Sequence, residues 1–437
     1  MKRFTLIWIA GIVLAGAVAA QDATEEEWKL PPPPDNAAIN YCLAMALQPR
    51  PYDAAGLEAE EFIDSEFAKL PPEALADWPD VQKFLQEYFG PGDTLGALHR
   101  GAQKSRCAFD VDYSDGPVTP LLHLPEILHL ARRCVAAAKF AEFNGDPNEA
   151  AQIYADLMRM GQHVGQDPIM IGGAVGDSTQ REVSEEIEGL LSREPPPEAA
   201  RTLFATLQDI EPRPFDLSAY LHAEAESCGN WLAQLPLEEF LTLSDHFKQY
   251  FEALPDDQRK EKLAQWIDEY RAIMHSVAEI VKEPYYNSAP KVRKEEAQVE
   301  KLSEDFLRNP KTGNPLVSFW ISPLETSARC FAQAEARLGM TKLACAAVLH
   351  YHEKGKYPES MDDLAEYFPD GLPKDPFTGE NYTYTLVEGW PRVEFDAYEE
   401  LRQQNDDSLY SIDLSRRRKQ DAEALAKFRE QMEEPEE

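Results

Sequence analysis

The chain has 437 residues, 43 of them Lys or Arg and 78 Asp or Glu, for a formal net charge of -35. So acidic a chain disfavours nonspecific binding to nucleic acid or to anionic lipid, both of which call for a basic surface. Hydrophobic residues at 43% and aromatics at 10% supply a large core and exclude global disorder, and six Cys in this length exclude a disulfide-built miniprotein.

The first twenty residues read as a signal peptide. Lys2 and Arg3 form a positive start, Phe4 to Ala15 is almost wholly apolar, and Ala17-Val18-Ala19-Ala20 places small residues where a signal peptidase cuts. The apolar run is shorter than the ~20 residues a bilayer span needs. No later stretch is long and apolar enough to span. The first Cys is Cys42, too distant for a lipoprotein anchor. The mature chain is therefore expected to be periplasmic or secreted, with no stable membrane insertion after cleavage.

Export permits disulfides among Cys42, Cys107, Cys134, Cys228, Cys330 and Cys345. Cys330 and Cys345 fall on one predicted helix, ~22 Å apart at 1.5 Å per residue. A bridge needs Cα atoms within ~7 Å. Cys42 and Cys107 lie in the N-terminal third, beside segments expected to pack together, and are the first pairing expected.

Residues 21–35 are acidic and then Pro-rich, from Glu25-Glu26-Glu27 to Pro31–Pro34, which reads as a solvated linker. A helix follows from Asn36, with Ile39, Leu43 and Leu47 on one face. Further helices are predicted over 57–67, 73–89, 121–143, 147–164, 168–192, 197–209, 215–234, 236–252, 257–282 and 291–307, mostly punctuated by Pro or Gly. Gly145-Asp146-Pro147-Asn148-Glu149-Ala150 reads like one tetratricopeptide-type helix start, but no second copy follows at that repeat's ~34-residue period. Residues 36–322 thus predict a mainly α body, an irregular helical bundle or short α-solenoid.

Residues 323–354 give the longest helix signal. Phe331, Leu338, Cys345 and Val348 line one side, and Ala328, Ala332, Ala336, Leu343 and Ala347 another. A helix apolar on two sides packs inside a body. Leu372-Pro373-Lys374-Asp375-Pro376 is turn chemistry. Tyr382 to Leu386 and Arg392 to Phe395 are short strand candidates. Residues 323–414 therefore predict a small α+β segment, and 415–437 a charged helix and tail with Leu425, Phe428 and Met432 on one stripe.

The segment from Tyr357 through Tyr384 resembles the globular end of the major pseudopilin of type II secretion: a long helix, a Tyr-Pro, a Leu-Pro-x-Asp-Pro turn, a Gly and closely spaced Tyr residues. Phe4-Thr5-Leu6-Ile7 resembles the start of a pilin-type signal, but Arg3 and Trp8 replace the Gly and Glu that such signals carry. The whole chain is similar to a group of uncharacterised exported bacterial proteins. The shared features are Asn36-Ala37-Ala38, the segment Cys107 to Gly116, Gly145 to Ala150, Pro168-Ile169, and Tyr357-Pro358-Glu359-Ser360 with Asp375 to Gly379. The resemblance implies an architecture and no catalytic residue. Pseudopilins can hold calcium in an acidic loop after a Tyr-Ser; here Tyr410-Ser411 leads into Ile412-Asp413-Leu414 and a basic run, so no calcium is expected there.

Asp110 to Gly116 alternates oxygen ligands as a calcium loop does, but an EF-hand needs Gly at Asp115 and Glu at Leu121. An acidic turn with Asx capping is the alternative. His123, Glu126 and His129 lack the i, i+4 spacing of a helical metal pair. His350 and His352, two apart, point away from each other. Gly172 to Ser178 lacks the Lys of a phosphate loop, and its Gly pair, Gly172 and Gly176, suits close helix approach. Arg416 to Lys419 reads as a solvated face or a docking patch. No metal and no cofactor are predicted, and no catalytic residue is identified. The reading is an extracytoplasmic helical scaffold or binding protein with an unknown protein partner in the cell envelope. The alternatives are a component of a secretion or pilus-like apparatus and a hydrolase with an unrecognised acidic site. Sequencing the exported protein from its N-terminus is expected to start at Ala20 or Gln21; a start at Phe4 would point to pilin-type processing instead.

Overall fold

The computed structural model describes residues 35–48, 54–65, 67–89, 93–243, 254–308, 323–395 and 411–433, with positions 248, 251, 313, 314, 316, 317 and 321. The expected signal peptide, and the linker up to residue 34, lie outside the described residues.

In chain order come α1 (Ala37–Leu47), α2 (Ala54–Ser65), α3 (Pro79–Phe89), α4 (Thr94–Ala102), α5 (His123–Phe143), α6 (Pro147–Val164), α7 (Met170–Ser192), α8 (Pro197–Asp209), α9 (Leu217–Gln234), the short α10 (Leu237–Phe240), α11 (Asp256–Ile280), α12 (Tyr285–Arg308) and α13 (Leu324–Lys354). Strands β1 (Thr383–Val387), β2 (Trp390–Glu394) and β3 (Ser411–Asp413) form one antiparallel sheet in that order, and α14 (Leu414–Glu433) follows. The chain is mainly α with a small C-terminal α+β segment. Among the described residues no helix is long and apolar enough to cross a membrane.

Local chemistry sets several boundaries. The Asp146 carboxylate accepts from the Glu149 N–H at 3.0 Å and Pro147 opens α6, while Pro197 opens α8. A continuous apolar core takes in residues from Ala37 on α1 to Leu414 at the start of α14. α13 is buried along most of its length against α7, α8 and α12, and Gly339 admits the Tyr382 ring to its surface.

α6 and α7 touch backbone to backbone. A Cβ at Gly176 would lie 2.4 Å from the Gly161 carbonyl oxygen, and one at Gly161 2.9 Å from that of Gly176. The glycine run on α7 thus serves helix approach. Buried charge joins the C-terminal helix to the same place: Lys139 on α5 meets Glu186 on α7 at 2.9 Å, Arg417 on α14 lies 3.8 Å from Glu186, and the Glu188 carboxylate accepts from the Asp413 N–H at 2.9 Å.

Several expectations change. The Ile39–Leu43–Leu47 stripe faces outward, at 44%, 42% and 36% exposure, and α1 buries Ala37, Ala38, Tyr41 and Ala44 instead. Asn36 turns the helix this way. Its side chain accepts from the Ala38 and Ala108 N–H groups and donates to the Ala108 carbonyl, while Tyr41 donates to His163 Nδ1 at 2.7 Å. Burial holds His163 down at about 4, so it is a neutral acceptor. The 73–89 helix breaks at Trp78, whose ring packs 4.0 Å from Phe62, into a 3-10 turn and α3. α12 starts ahead of Pro290 because Tyr285 packs on Phe377 and donates to Glu325 at 2.7 Å. Of 236–252, α10 is the continuous helix among the described residues. α4 and β3 were not anticipated.

Gly176→Ala tests the α6–α7 contact. In an exposed helix the change stabilises by up to ~1 kcal/mol; here the added methyl meets backbone, and a loss of about 1–3 kcal/mol is expected in thermal or urea unfolding.

Candidate functional site

The structure disperses the sequence candidates. His123 Nε2 lies 3.1 Å from Asp167 Oδ2 and its ring stacks on Phe109 at 4.4 Å. Asp112 accepts from the Ser114 N–H at 2.9 Å, the local cap of an acidic turn. His350 Nδ1 donates to the Lys356 carbonyl and His352 Nε2 to that of Pro195. Among the described residues no group of three or more His, Cys, Asp or Glu is placed to hold a metal ion.

In the structure all six cysteines are free thiols, Cys42 and Cys107, the pair first expected to bridge, among them. Cys107 is buried and turned toward the Ala38 amide, while Cys42, one turn further along α1, is exposed. The two are still neighbours: burial first, then Asp167 and Cys42, push the Cys107 thiol far above its ordinary value. Cys134 and Cys345 are buried and pushed up in the same way.

The basic run docks on the body. Arg417 enters the buried charge cluster, Arg416 donates to Ser411 Oγ and to the Ser411 carbonyl, Lys419 pairs with Glu388 at 2.6 Å, and the Arg418 guanidinium lies 5.1 Å from the Trp390 ring centre.

That docking borders a cleft of about 420 Å³ where α13 ends, within the range of small-ligand sites. Gly355, at φ +75°, closes the helix and turns the chain back. Tyr351 on the last turn stacks on Tyr357 at 4.6 Å, and Tyr357 packs 5.7 Å from Trp390 at the start of β2. The β1–β2 connection has both central residues at positive φ, Glu388 at 54° and Gly389 at 85°, a type I′ turn. Glu388 is fastened by Lys419 and by the Ser415 hydroxyl, so α14 fixes the turn and with it Trp390. Glu194, at φ 54°, also lines the cleft, near enough for its charge to act on Tyr357. Lys356 and Glu359 pair at 2.6 Å on the rim, and Leu386 stands 40% exposed beside them.

The Tyr357 hydroxyl is buried and has no hydrogen-bond partner. Burial first, then the Glu194 charge, push its phenol well above the ordinary value. An unsatisfied buried hydroxyl costs about 1–3 kcal/mol. The cleft therefore offers a row of aromatic faces with the Glu194 carboxylate beside them. Among the described residues that line it there is no paired nucleophile and base.

No protein-family model, curated protein or solved structure matches the chain. Of the cleft residues, sequence reading singled out Tyr357 and Glu359, within the Tyr-Pro segment. Trp390 and Glu194 were missed because they are far apart in sequence; the available signal was a Trp directly after a Glu-Gly turn. Tyr357→Phe is expected to leave the melting temperature unchanged or raise it, because the lost hydroxyl has no protein partner. A fall of ~1 kcal/mol in unfolding free energy would indicate a hydrogen bond there.

Proposed function

We propose that the protein is an extracytoplasmic binding protein: a helical scaffold that presents its C-terminal aromatic cleft to an extended, Pro-containing segment of a protein partner in the cell envelope. The observation that carries this reading is the Tyr351–Tyr357–Trp390 row lining the cleft beside the exposed Leu386. Aromatic-lined grooves suit polyproline-type segments, which are already extended and lose little entropy on docking. A sugar would need a partner for each of its hydroxyls, and Lys356 and Glu359 already satisfy one another.

The hydrolase reading has less support. Burial pushes Asp177 up to about 6, but the cavity it lines holds about 10 Å³, room for roughly one water. Burial likewise pushes Glu335 up to about 7, against the pull of Arg213. Neither lines the 420 Å³ cleft. The embedding of α13 in the helical body offers no free stalk for pilin-style assembly, which counts against an apparatus component.

The test is affinity capture from the envelope fraction with the wild type, Trp390→Ala and Leu386→Glu, followed by titration of the captured partner's Pro-containing segment as a peptide. Leu386 is exposed, so its variant keeps the fold. Both variants are expected to lose the partner, with Trp390→Ala weakening the peptide by about 2 kcal/mol or more, roughly 30-fold. Equal capture by all three proteins would remove the cleft from the account.

A further inference from the structure

The cleft at the end of α13 and the Pro-rich linker at the start of the chain match one another, given the reading of that cleft as a groove for an extended segment. Pro31-Pro32-Pro33-Pro34 is the one run of four prolines in the sequence. Prolines in a row favour the polyproline helix, with three residues per turn, so Pro31 and Pro34 share a face about 9 Å apart. The ring row of the cleft steps 4.6 Å from Tyr351 to Tyr357 and 5.7 Å on to Trp390, which puts its outer rings no more than about 10 Å apart, room for one such turn.

Charge agrees with the match. Arg416 to Lys419 is the one run of four basic residues in a chain of net charge -35. Of these, Arg418 and Lys419 stand at the cleft, against Trp390 and Glu388. Ahead of its prolines the linker carries Glu25-Glu26-Glu27 to suit those bases, and Lys29 to suit the Glu194 carboxylate.

The linker cannot reach the cleft of its own chain. Asn36 binds Ala108, and the Cys107 N–H donates to Gln166, so the linker enters where α7 begins. Glu194 places the cleft just past the other end of α7, 23 residues and roughly 34 Å away at 1.5 Å per residue. Pro31 lies four residues before Asp35, a reach of about 14 Å.

We propose that the cleft of one copy takes Pro31–Pro34 of a second copy, and that the exchange is reciprocal. Two copies lying antiparallel about a two-fold axis bring each linker to the other's cleft, and the paired contacts reinforce one another. The outward stripe Ile39, Leu43 and Leu47 on α1 begins five residues beyond Pro34, so a neighbour holding the linker also lies beside it. The dimer is then the form that an envelope partner's Pro-containing segment has to open.

The test is sedimentation equilibrium of the chain from Gln21 onward, as wild type, as Leu386→Glu, and with Pro31→Gly, Pro32→Gly, Pro33→Gly and Pro34→Gly combined. The wild type is expected to dimerise, and both variants to do so at least about tenfold more weakly. A labelled peptide of residues 21–35 should bind the glycine variant, whose cleft is free, and lose about tenfold or more once Leu386→Glu is added. Circular dichroism melts confirm that the variants fold. A monomeric wild type, or a glycine variant that dimerises as well as the wild type, would overturn the exchange. If an envelope partner's Pro-containing segment still binds and is lost with Leu386→Glu, the exchange alone fails and the reading of the cleft stands; if no Pro-containing segment binds, both fail.

Discussion

The arrangement of the C-terminal third depends on charge buried between α5, α7 and α14. Lys139 and Glu186 are 1% and 4% exposed, and Lys139 also donates to the carbonyls of Phe67 and Leu70. Arg417 approaches Glu186 from α14, and Arg193 binds both Glu142 and Asp421. Such clusters add little net stability over well-packed apolar residues, but stranding one member costs about 3–5 kcal/mol. α14 therefore cannot lift from the body without parting Arg417 from Glu186 and Asp421 from Arg193. The neighbouring residues inherit that fixity: Arg418 covers Trp390, and Lys419 holds the turn that presents it.

Backbone strain gathers at the same place. Asp110, Glu194 and Glu388 are the non-glycine residues at positive φ among those described, and two of the three border the cleft. Each such residue costs on the order of 1–3 kcal/mol and persists only where its surroundings hold it. Glu388 is held by Lys419 and Ser415, and the Glu194 N–H donates to the Leu191 carbonyl at 3.2 Å. Strain, an unsatisfied hydroxyl and stacked rings thus gather around one cleft.

Where local chemistry decides the structure, the sequence was legible. α6 and α8 begin where Asp146, Pro147 and Pro197 say they should. The double-sided apolar pattern of α13 matched its burial, and the Gly spacing on α7 matched a close helix contact. Periodicity failed on α1 because it shows that Ile39, Leu43 and Leu47 share a face, not which way the face points; a distant contact from Asn36 to Ala108 decides that. Tertiary contacts likewise carried α12 back past Pro290. The cleft joins residues from the ends of α7 and α13 and from the β1–β2 turn, and no window of sequence contains it.

The burial of the thiols bears on when oxidation could act on this chain. Thiolate is the species that attacks a disulfide, and burial keeps Cys107, Cys134 and Cys345 protonated far beyond neutral pH. In the finished fold these sulfurs are out of reach of exchange. Any bridge involving them has to form while the chain is still assembling, before α1 closes over Cys107. The order of events during maturation, and not the redox poise around the folded protein, then decides whether Cys107 ends as a thiol or as half of a disulfide.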